Sequence, residues 1–209
     1  MSNNQELHDT VNAAYEEAYE ILNSEDNWKE VKRNEHGEVV VTKKNKRGKN
    51  IYRIKAVINV APEKLISAMQ DLPSTPKWNT TLTKCQILSN ISEDVKVTYQ
   101  VTSGGGGNLV SPRDFVLVVK QGYKGKDYFQ AGCSIEYPDA PKDKNIVRAW
   151  NGPGGQMIRP IPGNPEQCEF YWLMDCEYNG WILSSILAIA MPSAQMMFVE
   201  CVKNLAKTL

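Results

Sequence analysis

Between residues 82 and 177 the sequence reads as β-strand with almost no interruption, and that run limits the fold more than any other feature. Strand-like segments centre on residues 85–88, 95–101, 115–119, 128–135, 146–149 and 170–176. Glycine and proline clusters, among them residues 104–107 and 152–155, read as their separators. Joins this short leave no room for crossover helices, so the strands pair antiparallel rather than as βαβ units.

Helices flank the run. Leu7, Val11, Ala14, Ala18, Ile21 and Leu22 recur at helical spacing between acidic residues, an amphipathic first helix. Strands follow at residues 39–41 and 51–60, joined by the basic run of residues 43–49, which reads as a solvated turn. A short helix opens at Ala61-Pro62-Glu63-Lys64, where Pro sits at an early helical position. From Trp181 onward the pattern is helical again, with Ala194, Phe198, Cys201, Val202, Leu205 and Leu209 on one apolar face. The expectation is an α+β fold in one domain over residues 1–209, with neither repeat nor linker.

Composition excludes some functions. Lys plus Arg and Asp plus Glu both number 24, so the net charge is zero and the basic excess of a nucleic-acid binder is missing. The five cysteines include no CxxC pair, which predicts reduced thiols in a cytoplasmic protein, with neither metal nor cofactor. The polar N-terminal residues lack the apolar core of a secretory signal. His8 and His36 are the only histidines, too few for a Ser/His or Cys/His nucleophile system. Residues 104–107 lack the Lys-Ser/Thr ending of a phosphate loop. Asp175 and Glu177 share a strand face, as exposed sheet charges also do. The chain therefore reads as a binding protein and not an enzyme.

Four stretches carry a resemblance: Trp78-Asn79 with Cys85-Gln86-Ile87-Leu88; Asn108-Leu109-Val110-Ser111-Pro112-Arg113-Asp114-Phe115-Val116; Val147-Arg148-Ala149-Trp150-Asn151-Gly152-Pro153-Gly154-Gly155; and residues 172–181 with the helix after them. Together they resemble the START domain, a lipid-transfer module, in its sterol-binding branch. The resemblance implies a helix-grip fold: a curved antiparallel sheet around the C-terminal helix, enclosing one lipid, a sterol such as cholesterol. Carotenoid and phospholipid are its alternatives, and a cavity enzyme of the polyketide cyclase type is the rival of a different class. The implied ligand-binding residues are Gln100, Val119, Asn151, Gln156, Trp172, Met174, Phe198 and Val202. The implied gate is Gly104, Gly105, Gly106, Gly107, Arg113, Pro192 and Met197, with Pro192 near the start of the last helix. That gate predicts transient membrane contact by a monomer.

One departure stands out. The acidic residue and arginine that face each other inside the sterol branch's tunnel fall here on Gln100 and Val119. Losing both charges together is coherent, because losing one would strand the other in a low dielectric. Local alternation groups Gln100 with Lys96 and Thr98, the pattern of a solvent face, whereas the resemblance places it inside the tunnel. The resemblance is preferred. Residues 181–199 hold no charge, so a membrane anchor competes with a lid helix there. Ser184, Ser185, Pro192, Ser193 and Gln195 favour the lid.

Overall fold

The computed structural model describes residues 2–104 and 110–209. Helix α1 (Ser2–Asn23) leads into β1 (Lys29–Arg33), β2 (Val39–Lys44) and β3 (Asn50–Ile58). Helix α2 (Pro62–Gln70), a 3-10 turn (Leu72–Ser74) and α3 (Thr75–Trp78) come next. Then follow β4 (Leu82–Asn90), β5 (Val95–Thr102), β6 (Arg113–Lys124), β7 (Asp127–Ser134), β8 (Val147–Arg148), β9 (Trp150–Asn151), β10 (Gly154–Ile161), β11 (Asn164–Met174) and β12 (Cys176–Glu177). The chain closes with α4 (Ser184–Ala206).

Among the described residues the main sheet runs β1-β2-β3-β11-β10-β7-β6-β5-β4, antiparallel throughout that path, with β8 added parallel to β6. Strands β9 and β12 pair separately. The sheet stays open, with β1 and β4 as its edges. Helix α1 packs on one face, against β6, β7, β10 and β11, where Val11, Ala18 and Leu22 are buried. Helix α4 packs on the other face, against β1, β2, β3 and α3. One long helix cannot cover a nine-strand path, so space is left over β5, β6, β7 and β10. This is the helix-grip arrangement that the resemblance implied.

Three local readings are corrected. Gly154 and Gly155 do not separate strands; they open β10, which lies between β7 and β11. Pro160 is tolerated in β10 because the pairing with β7 has already ended at Ile158, so no ladder bond on that side needs its missing N–H. Pro192 is not near the start of the last helix; it lies inside α4. Interior proline costs about 3 kcal/mol, and here Ala190, Met191, Pro192 and Gln195 are all buried against the sheet, which offsets that loss. Gln195 adds a tie: its Nε2 donates to the carbonyls of Tyr52 (3.2 Å) and Trp172 (3.1 Å). By length and hydropathy α4 could cross a membrane, yet half of its most apolar window is buried within the fold. It is a core helix.

Candidate functional site: a cavity under the last helix

The space left by α4 is a cavity of about 250 Å³. Its floor comes from the strands: Phe115, Leu117 and Val119 of β6, Gly132 of β7 and Gly154 of β10. Its roof is α4, through Met191, Ala194, Met197 and Phe198. Phe198 also closes one wall, with its ring 4.6 Å from Trp172, 5.8 Å from Trp78 and 5.9 Å from Phe170. The glycines give the floor its shape. A Cβ on Gly132 would land on the backbone carbonyl of Val118, so only glycine lets β6 and β7 approach so closely there.

Polar groups in the lining are almost all neutral: Gln100, Gln130, Gln156 and Asn151 present amides. Asp175 is the one charged side chain in the lining among the described residues. It is 4% exposed and already engaged, accepting from Asn45 Nδ2 at 3.1 Å and from Arg47 Nη2 at 3.0 and 2.9 Å. Burial pushes its carboxyl above the ordinary range, against the opposing pull of Asn45 and Arg47. The basic turn is thus not merely solvated, because Arg47 reaches back to a cavity wall. Burial likewise pushes the Cys176 thiol far up, and the Tyr178 phenol well above its usual value. Neither offers an anionic nucleophile near neutral pH.

Of the residues implied for ligand contact, Gln100, Val119, Asn151, Gln156, Trp172, Met174 and Phe198 line this cavity. Val202 does not: it is wholly buried in the core beneath α4, one turn past Phe198. Of the gate residues, Gly104 and Met197 line the cavity, while Gly105, Gly106 and Gly107 lie outside the described residues. Arg113 is a buried, multiply bonded strut. It is 3% exposed and donates to the carbonyls of Tyr178 (2.7 Å) and Ser111 (2.8 Å) and to Ser111 Oγ (2.6 Å). Its neighbour Asp114 holds Arg148 through two bonds of 2.8 and 2.9 Å. The Ser-Pro-Arg-Asp-Phe block therefore ties residues 111–113 to Tyr178 ahead of α4, and Phe115 lines the cavity.

Sequence reasoning missed Gln130 and the Arg47–Asp175 pair. A glutamine alternating with Tyr128 and Gly132 in an otherwise apolar strand was the only local signal for the first. The uncharged stretch of residues 181–199 is exposed at its beginning, where Trp181, just ahead of α4, is 95% exposed and Ile189 within the helix 73%, whereas Met196 and Phe198 are buried.

Residues 8–208 match the family profile described as START domain. The chain belongs to the START-domain family. It is a StAR-related lipid-transfer domain by that profile. The steroidogenic acute regulatory protein, mitochondrial, of Mesocricetus auratus is 27% identical over 188 residues, 90% of this chain. The match spans 66% of that relative's length, just under two thirds. The protein of the same name from Danio rerio is 27% identical over 192 residues, covering 91% of this chain and 67% of its own. Among solved structures, human StAR-related lipid transfer protein 5 superposes with a TM-score of 0.89 at 20% identity, covering 98% of both chains. That likeness is one of START fold.

Proposed function

We propose that this chain carries one neutral, compact lipid, a sterol in first rank, and moves it between membranes without catalysing a reaction on it. The observation that carries this reading is the cavity lining: an apolar floor and roof, neutral amides, and one carboxylate already neutralised by Arg47. Burying an apolar skeleton there contributes roughly 25 cal/mol per Å² removed from water. A phospholipid fits less well, because among the described residues the lining holds no Lys or Arg to meet its phosphate. The volume, about 250 Å³, lies just below the ~300–1,000 Å³ of typical ligand sites. The raised thiol and phenol described above supply no acid–base or nucleophilic chemistry.

Loading requires an opening, and the start of α4 is where a membrane would be met. Trp181 (95% exposed), Leu183 (57%), Ile189 (73%) and Met197 (45%) are exposed apolar side chains there, beside the Lys32 ammonium that donates to Ser193 Oγ, and Met197 borders the cavity. The contact is transient, the working unit is a monomer over residues 1–209, and the five free thiols fit a cytoplasmic location. Titration with fluorescent sterol, carotenoid and phospholipid probes tests the reading. Saturable binding of sterol at one per chain supports it; failure of all three classes to bind overturns it.

A further inference from the structure

On the face of the sheet away from the cavity, the turn between α1 and β1 brings two cations onto one aromatic ring. Lys43 Nζ of β2 lies 4.5 Å from the centre of the Trp28 ring, and the guanidinium carbon of Arg53 on β3 lies 4.6 Å from it. Each gains from the ring, while the two like charges oppose each other. Burial, and next the Arg53 charge, pull the Lys43 ammonium below the ordinary lysine value. Neutralisation is thin. Arg53 meets Glu25 at 3.3 Å, but that carboxylate is 83% exposed, and Lys43 forms no ion pair among the described residues.

The group where the two cations meet is a hydroxyl. Lys43 Nζ donates to Ser24 Oγ at 2.6 Å, and Ser24 Oγ donates to the carbonyl of Ile21 at 2.9 Å. Arg53 Nη1 donates to the carbonyls of Ser24 and Leu22, both at 2.8 Å, and Trp28 Nε1 reaches the same Ser24 carbonyl at 3.0 Å. Arg53 thus caps the negative end of α1, which would otherwise repel an anion placed there. Ser24 is half-buried, and Glu25, Asp26 and Asn27 after it are exposed, Asn27 in a left-handed turn at φ 63°. A serine in a surface turn with two acids directly behind it is what an acid-directed protein kinase reads.

We propose that Ser24 is a phosphorylation site whose phosphate is held by Lys43 and Arg53 beside Trp28. A separate acid-directed kinase moves the γ-phosphoryl group of ATP to Ser24 Oγ. A P–O bond forms there as the bond to ADP breaks, and the hydroxyl proton leaves to the kinase's base. The product carries close to two negative charges and three acceptor oxygens. Those oxygens take over Lys43 from the hydroxyl and draw Arg53 Nη2 from Glu25, in charge-assisted bonds. The Ile21 carbonyl loses the hydroxyl but keeps the Ser24 N–H at 3.3 Å. The modified turn fastens α1 more firmly to β2 and β3.

The kinase for the test is one that labels Ser24 in a peptide of residues 18–33, which holds no other serine or threonine. With ATP it should place one phosphoryl group on Ser24 of the folded full chain, located by mass spectrometry. A folded chain left unlabelled at Ser24 under conditions that label the peptide overturns the proposal. The phosphorylated chain, also made with genetically encoded phosphoserine, should melt about 2–4 °C higher at low salt. That gain should shrink in high salt. Phosphorus NMR should place the second pKa of the phosphate below its ordinary value of about 6, because the two cations favour the dianion. Lys43→Gln should remove most of both effects, each compared with the same variant unphosphorylated, which cancels what the substitution does to the fold by itself. A phosphate that titrates at its ordinary value, or that leaves the melting point unchanged or lower, overturns the proposal and marks Lys43 and Arg53 as struts of the turn. So does a pKa shift that survives in Lys43→Gln.

Discussion

Arg47 Nη2 reaches both carboxylate oxygens of Asp175, at 3.0 and 2.9 Å, from a turn 128 residues away in the sequence. The pair ties the hairpin of β2 and β3 to the cavity wall beside Gly152, whose missing Cβ leaves room for both side chains.

The pair makes stability depend on pH in a definite direction. The Asp175 carboxyl is raised above its ordinary value, chiefly by burial, so its protonated form is favoured in the fold and stability falls as pH rises through that raised pKa. Removing the guanidinium in Arg47→Gln raises the pKa further and deepens that fall. The variant should lose about 2 kcal/mol at pH 7, below the 3–5 kcal/mol of a fully buried pair, because Asn45 remains as a partner. The deficit should shrink as pH falls through the raised folded-state values and be gone once pH is below the ordinary carboxyl value, where the group is neutral in both folded and unfolded chains. Urea unfolding at the two pH values measures it.

Phe198→Ala should destabilise the protein by about 3 kcal/mol, the low end for a buried phenylalanine because the ring already borders a void. That is a fall in Tm of roughly 6–12 °C for a chain of this size. Saturating sterol should recover less of the loss than it adds to wild type, since the ring is also part of the ligand's wall. Scanning calorimetry with and without ligand reads both effects.

The glycine floor predicts a contrast between two alanines. In Gly132→Ala the new methyl meets backbone that cannot step aside, which should cost about 1–3 kcal/mol and open the β6–β7 pairing. In Gly122→Ala, on the same strand pair, a Cβ meets nothing within 4 Å. That change should stay within about 0.5 kcal/mol. Denaturant midpoints of the two variants decide.

Much of this was readable in the chain, and the unreadable parts have physical causes. The terminal helices announced themselves because each buries a single stripe, Leu7, Val11 and Leu22 in α1 being the plainest. Strand β5 misled by alternation. Val95, Val97, Tyr99 and Val101 are its apolar side, yet that side lies under Leu7 and Val11 of α1, outside the grip. Its polar side, with Gln100 and Thr102, is the one that lines the cavity. A sheet covered on both faces removes the usual link between polar and solvent-facing. Strand β10 was hidden by Gly154, Gly155 and Pro160, residues that normally end strands. The pairing of Arg47 with Asp175 had no local trace, since nothing but the folded topology brings those residues together.

Membrane contact should be separable from ligand binding. Trp181→Ser/Leu183→Ser removes two exposed apolar side chains and should leave stability within about 0.5 kcal/mol. Sedimentation with neutral phosphatidylcholine vesicles should fall severalfold, and so should the rate of sterol transfer between vesicles. Sterol affinity in solution should not change.

The central claim is that the space beneath α4 holds one neutral lipid. Native mass spectrometry of protein purified from a eukaryotic host, followed by extraction and identification of what it carries, tests that claim most directly. The account predicts a single added mass per chain, released on unfolding and identified as one uncharged sterol. Phe198→Ala should carry less of it. A wild-type chain that stays at its bare polypeptide mass, even after incubation with excess sterol, would contradict the account.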